Sequence, residues 1–127
     1  MISGLFSQPN YLAAKKLLDA TVLRHEAIAS NLANIETPNY RRLDIAPSFQ
    51  TELQQAMSGH NGNQIDGVQP RLEADPNAVA NTRDGNTVQL ESELVQLSKN
   101  FLAHTVETQL ITGSLLKMRL AITGRPV

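Results

Sequence analysis

The 127-residue chain contains no cysteine and no tryptophan. Without cysteine there is neither a disulfide framework nor a thiolate metal site. Aromatic residues make up only 4%. Phe6, Tyr11, Tyr40, Phe49 and Phe101 are all there are. Aromatic side chains are the large contributors to core burial, so a thin core is expected. Charge of one sign is not in excess either: 11 Lys and Arg stand against 12 Asp and Glu. That near-balance removes the broad basic footprint of a nucleic-acid binder. No apolar run approaches the roughly 20 residues of a spanning helix. The start, Met1-Ile2-Ser3-Gly4-Leu5-Phe6, has no basic region and no long apolar stretch. It does not read as a cleaved signal peptide.

Proline and glycine are also missing from two long stretches, and this divides the chain. Residues 10–35 contain neither. Residues 36–89 hold Pro38, Pro47, Pro70 and Pro76, together with four glycines. Residues 90–123 contain only Gly113. The composition predicts an N-terminal helix over 10–36, an irregular middle over 37–89 and a C-terminal helix over 90–123. Pro9 suits the first turn and Ser7 a capping position. Gly124 and Pro126 supply a stop, with Arg125 favourable beside the C-terminal dipole.

Both helices carry apolar residues at alternating steps of three and four. The first seam runs through Ala14, Leu18, Thr21, His25, Ile28 and Leu32. The second runs through Leu94, Leu97, Phe101, His104, Thr108, Ile111, Leu115 and Met118. Each is polar at its centre, at Thr21 and His25 and at His104 and Thr108. An antiparallel pair would match these polar layers but would bring Lys15 and Lys16 towards Lys117 and Arg119. A parallel pair would set those lysines near Glu91 and Glu93 instead, across the long connector; the matching polar layers favour the antiparallel one. The expected fold is therefore mainly α, an antiparallel coiled-coil hairpin of the two terminal helices. Leu17, Leu23, Leu102, Leu110 and Leu116 would flank the seams and stay exposed on a monomer. Within the middle, Phe49, Leu53 and Met57 predict a short amphipathic helix near 48–57. Residues 58–63 read as a linker, and 58–87 as the segment least suited to order in a monomer.

No constellation points to catalysis, a cofactor or a metal. His25, His60 and His104 have no second histidine three or four residues away, so no helix face carries a ligand pair. Glu91 and Glu93 are two apart and do not share a face; they suit a helix start. Arg41-Arg42 is the arginine doublet, either a solvated loop or a contact for a partner. An enzyme would need a histidine or carboxylate site, and none is visible. A soluble coiled-coil export chaperone would carry a strongly acidic surface, unlike this near-neutral chain.

Asn31 and Asn34 are poor choices for a helix interior, because their amides compete for backbone groups. Followed by Thr37-Pro38-Asn39, they suit a helix end and a turn. Asn39 tolerates the left-handed conformation such a turn requires. The run Ala29-Ser30-Asn31-Leu32-Ala33-Asn34-Ile35-Glu36-Thr37-Pro38-Asn39-Tyr40 resembles the N-terminal signature of bacterial flagellar rod, hook and hook-associated proteins. That pattern carries Gly where this chain has Asn39. The short length, Arg83-Asp84-Gly85-Asn86-Thr87-Val88 with the following leucines, and the ending Leu116–Ile122 resemble a proximal rod member. The Pro-Phe and Tyr-x-Pro-x-His-Pro stretches of the paralogue FlgC are absent.

The resemblance implies a structural subunit of the basal-body rod that polymerises helically, transmits torque and lines the export channel. It implies export through the flagellar type III apparatus without a cleaved signal, and a place in the rod across the periplasm. It implies as partners the chain itself, rod proteins of the FlgC, FlgF and FlgG types, the adaptor FliE and the inner-membrane ring FliF.

Overall fold

The computed structural model describes residues 8–80 and 82–124. Phe6, the cap expected at Ser7, and the Arg125 and Pro126 stop signals lie outside them.

Helix α1 spans Pro9–Ala33 and helix α4 spans Leu90–Thr123. At 1.5 Å per residue they are about 37 and 51 Å long. Pro9 occupies the first turn of α1, where a missing N–H costs no helix hydrogen bond. Gly124 closes α4 with φ of 65°, and its N–H reaches the Leu120 carbonyl at 2.7 Å. This is the left-handed cap that favours glycine.

The middle is more structured than its composition predicts. Strand β1 (Leu43–Ile45) is followed by α2 (Ser48–Ser58), α3 (Gly62–Asp66) and β2 (Leu72–Ala74). The strands pair antiparallel, Leu43 opposite Ala74 and Ile45 opposite Leu72. Helix α2 forms where expected, with Phe49, Leu53 and Ala56 inward and Met57 half-buried against them. Segment 58–87 supplies Ile65 and Val68 to the same core. Its apolar residues stand singly among polar ones, so no local period announces them. Asn61 caps α3 by accepting the Asn63 N–H at 3.0 Å.

The core lies between α1 and this middle segment, where Ala13 and Ala20 meet Ile45, Phe49, Leu53, Ala56, Ile65 and Val68. Leu23 packs against the cluster, so it is not among the exposed flanking leucines. Leu17, Leu102, Leu110 and Leu116 are exposed. Small alanines on α1 leave room for the middle segment to approach. One heptad position further round, Ala14, Thr21 and Ile28 are also buried.

Helix α4 covers α1 in the opposite sense. Asn31 contacts Glu93, and Thr21 contacts Asn100 and Glu107. The partner numbers rise on one helix as they fall on the other, the order of an antiparallel pair. The face of α4 turned inward differs from the expected seam. Glu93, Asn100, Glu107 and Met118 are buried, and Leu97 and Ile111 half-buried. Leu94, Phe101, His104, Thr108 and Leu115 face outward, as does His25 on α1. One row of the expected seam thus gives way to the row one residue earlier, about 100° round the helix. The reason is hydrogen bonding. Glu93 and Asn100 reach groups that no leucine could satisfy, and a buried polar group left without a partner is costly. A polar layer does sit mid-pair, but it consists of Thr21, Asn100 and Glu107.

Candidate functional site: an asparagine and arginine clamp

The signature segment lies where α1 ends and meets the start of α4. Asn31 has no exposed surface. Its Nδ2 donates to the Leu43 carbonyl at 2.9 Å, and its Oδ1 accepts the Leu43 N–H at 2.8 Å. One amide thus pairs with both backbone groups of a residue twelve positions on, holding the ribbon to the helix. The same Nδ2 lies 3.3 Å from Glu93 Oε2. Tyr40 adds its hydroxyl, 3.0 Å from Ser30 Oγ and 3.4 Å from Asn31 Oδ1.

Asn34 caps α1 from inside, donating from Nδ2 to the Ser30 carbonyl at 2.9 Å. Thr37 donates to Asn34 Oδ1 at 3.1 Å. The last carbonyls of any helix lack intrahelical partners. Here Asn86 meets that need from a distant part of the chain. Its Nδ2 lies 2.9, 3.0 and 2.8 Å from the carbonyls of Asn34, Ile35 and Thr37. Its Oδ1 accepts the Val88 N–H at 2.7 Å.

Asn39 has φ of 60°, and its N–H donates to the Asp84 carbonyl at 2.7 Å. The asparagine in the glycine position thus takes the left-handed turn. Gly85 faces it with φ of +77°, and a Cβ at Gly85 would stand 2.5 Å from Asn39 Oδ1. Thr82 and the Asn86 N–H both bond Asp84 Oδ1. These two bonds hold the Asp84 carboxyl below its ordinary value. Ala29, Ala33 and Pro38 are exposed, and Leu32 is half-buried.

Charge enters through Arg42. The doublet divides: Arg41 is exposed and Arg42 is buried. Arg42 Nε donates to Glu93 Oε1 at 2.6 Å, and Glu93 is 0% exposed. Arg42 Nη1 also pairs with Asp75, and with Asp44 at 3.3 Å. Arg24 reaches the other oxygen of Asp44 at 2.9 Å. Burial alone would lower the Arg42 pKa; the hydrogen bond and charge of Glu93, with Asp75 and Asp44, outweigh it and raise it further. Arg42 is therefore an internal anchor, unlike the solvated loop or partner contact expected of the doublet. Arg41 remains outward. Glu93, read as a residue suited to a helix start, is the buried counter-ion.

Further along, the Thr21 hydroxyl lies 2.8 Å from the Leu18 carbonyl and 3.1 Å from Glu107 Oε2. Burial raises the Glu107 pKa; the Thr21 hydroxyl and the charges of His104 and Arg24 oppose this. Asn100 Nδ2 donates to the Thr21 carbonyl at 2.8 Å. Among the described residues no group of three or more His, Asp or Glu is placed to hold a metal. No described helix is long and apolar enough to cross a membrane.

All of these bonds organise the chain; none prepares a nucleophile or a proton relay. Comparison with known proteins agrees with that character. No family model matches. Three curated proteins do, each a flagellar basal body rod protein FlgB. That of Aquifex aeolicus (strain VF5) is 32% identical over 113 residues, 87% of this chain and 90% of its own length. Those of Borreliella burgdorferi and Borrelia hermsii are 30% and 25% identical, over 73% and 76% of this chain. The match to the first of these, spanning nearly all of both chains, establishes that this chain belongs to the FlgB family of flagellar basal body rod proteins.

Proposed function

We infer that the chain is a structural subunit of the proximal rod that polymerises helically through its terminal helices, transmits torque and lines the export channel. One observation carries this reading: α4 keeps an apolar row on the side away from α1. Leu94, Val95, Leu102, Val106, Leu110 and Leu120 are exposed there. An apolar row left uncovered along a helix of this length marks a surface for other chains. A contact that does not close on itself builds a helical assembly. The clamp supports torque transmission, because it fixes the angle between the two load-bearing helices through directional bonds.

The reading carries its neighbours with it. Rod proteins of the FlgC, FlgF and FlgG types, the adaptor FliE and the inner-membrane ring FliF would abut the chain. It would pass the type III apparatus without a cleaved signal and stand in the rod across the periplasm. The coiled-coil description applies to the whole α1–α4 pair, with the inward face of α4 as found above. The reading assigns no catalysis.

The test is replacement of the native proximal rod gene by a tagged copy, followed by electron cryo-microscopy of isolated basal bodies. The expected result is motile cells, with density for α1 and α4 at the base of the rod. A complete rod from which this chain is absent rules the reading out.

A further inference from the structure

The α1–α4 pair has two halves of opposite charge. In 9–18 and 108–124 the cations are Lys15, Lys16, Lys117 and Arg119, and neither stretch contains Asp or Glu. This is the end away from the clamp, and antiparallel pairing gathers like charges there. In 19–26 and 91–107 the balance reverses. Asp19, Glu26, Glu91 and Glu107 stand against Arg24 and Lys99, Glu93 being matched by Arg42. Arg24 is further engaged by Asp44.

The acidic half also holds a groove. It has a volume of about 870 Å³ and is lined by Val22, His25, Glu26, Leu97, Phe101 and Leu102 among others. Phe101 is 71% exposed at its edge. Glu26 lines it, and Glu91 lies roughly two turns before Leu97 on α4. At the basic end, Leu110, Leu116 and Leu120 are exposed, and Lys117 and Arg119, two residues apart, lie on the two flanks of the Leu116–Leu120 row. The apolar stripe of the basic half therefore comes with the charge that the groove lacks.

We propose that this groove receives the Leu110–Leu120 half of α4 from a second copy of the chain, with Lys117 and Arg119 of that copy set against Glu26 and Glu91. The contact is heterologous: one surface of each copy meets a different surface of the next. It can therefore propagate, whereas a self-complementary contact stops at a dimer. The proposal rests on the rod reading and specifies which surfaces meet.

Two full-length variants test it, with all substitutions at exposed positions. One is K117E with R119E; the other is E26K with E91K. Circular dichroism should show unchanged helix content in both. In sedimentation velocity the unaltered chain should associate with rising concentration, and added salt should weaken this. Each variant alone should associate more weakly by at least about a hundredfold, since like charges then meet across the contact. Their equimolar mixture should recover association and grow past the dimer. The proposal is overturned if the unaltered chain stays monomeric, if either variant alone associates normally, or if the mixture stays monomeric. Saturation of the mixture at a dimer also overturns it, since that indicates a two-fold contact. The failure of the rod reading is separable. If the paired variants still enter rods in cells, the subunit assignment stands and this contact alone is wrong.

Discussion

The two ends of the α1–α4 pair are held by different physics. At the closed end, Asn31, Arg42, Asn86 and Glu93 are buried and bonded to named partners. At the open end, Met118 is the buried residue on α4, and stretches 9–18 and 108–124 carry four cations and no acid. The closed end is directional, its buried polar groups bonded to specific atoms of the same chain. The open end is apolar and charged, with surface still to be covered. Directional bonding is thus concentrated at one end, while exposed apolar surface runs along the length of α4.

Breaking the closed end should have the largest effect. Glu93→Leu leaves Arg42 without its most buried counter-ion and removes a partner of Asn31. The expected loss is about 3–5 kcal/mol, the usual result of breaking a buried pair. Chemical denaturation of the full chain would measure it, and a loss under about 1 kcal/mol would contradict a clamp that carries the fold. Asn86→Ala should cost about 2–3 kcal/mol, because the Asn34, Ile35 and Thr37 carbonyls after α1 and the Val88 N–H lose their partner. Amide exchange should quicken at residues 34–40 in that variant. Gly85→Ala meets both an unfavourable φ and Asn39 Oδ1. A shift of about 1–2 kcal/mol is expected, and Gly85→Ser should be no milder.

Midway along the pair, the prediction concerns pH. Glu107 has its pKa raised by burial in the folded chain. The protonated carboxyl is then the form that folding favours. Its stabilisation is fully present below the ordinary carboxylate pKa and is lost as pH rises through the raised value. Glu107→Gln should remove that dependence and make the chain the more stable of the two near neutrality. Parallel melts of the two proteins across the acid range would show it; identical profiles would refute it. The smallest effect belongs to the outward face. Phe101→Ser should change the stability of a monomer by no more than about 0.5 kcal/mol. The same substitution should still impair association, which separates the two regions in one experiment.

How much of this could be read from the sequence follows from the range of each interaction. Helices α1, α2 and α4 were legible because period, proline and glycine act within a few residues. Asn31, Asn34 and Asn39 stood out as misfits in a helix, and they do build the turn. Their partners gave no local sign. Asn86 caps a helix 52 residues away, and Glu93 meets Asn31 across 62 residues. For the same reason the rotation of α4 was hidden. Its leucine stripe is real, but Arg42, Asn31 and Thr21 determine which side turns inward. Ribbon β1–β2 and α3 carry no such local sign, because Ile65 and Val68 stand alone among polar neighbours and each strand is only three residues long.

The clamp also has an order in time. Arg42 finds Glu93 51 positions later, and closing so long a loop carries an entropic cost before any bond forms. A chain passing through a narrow opening from its first residue could not lock α1 until residues 86–93 had emerged. Until then the signature asparagines have no distant partners, and the terminal helices remain unpaired. The interaction that stiffens the folded subunit would thus be missing from a chain still in passage.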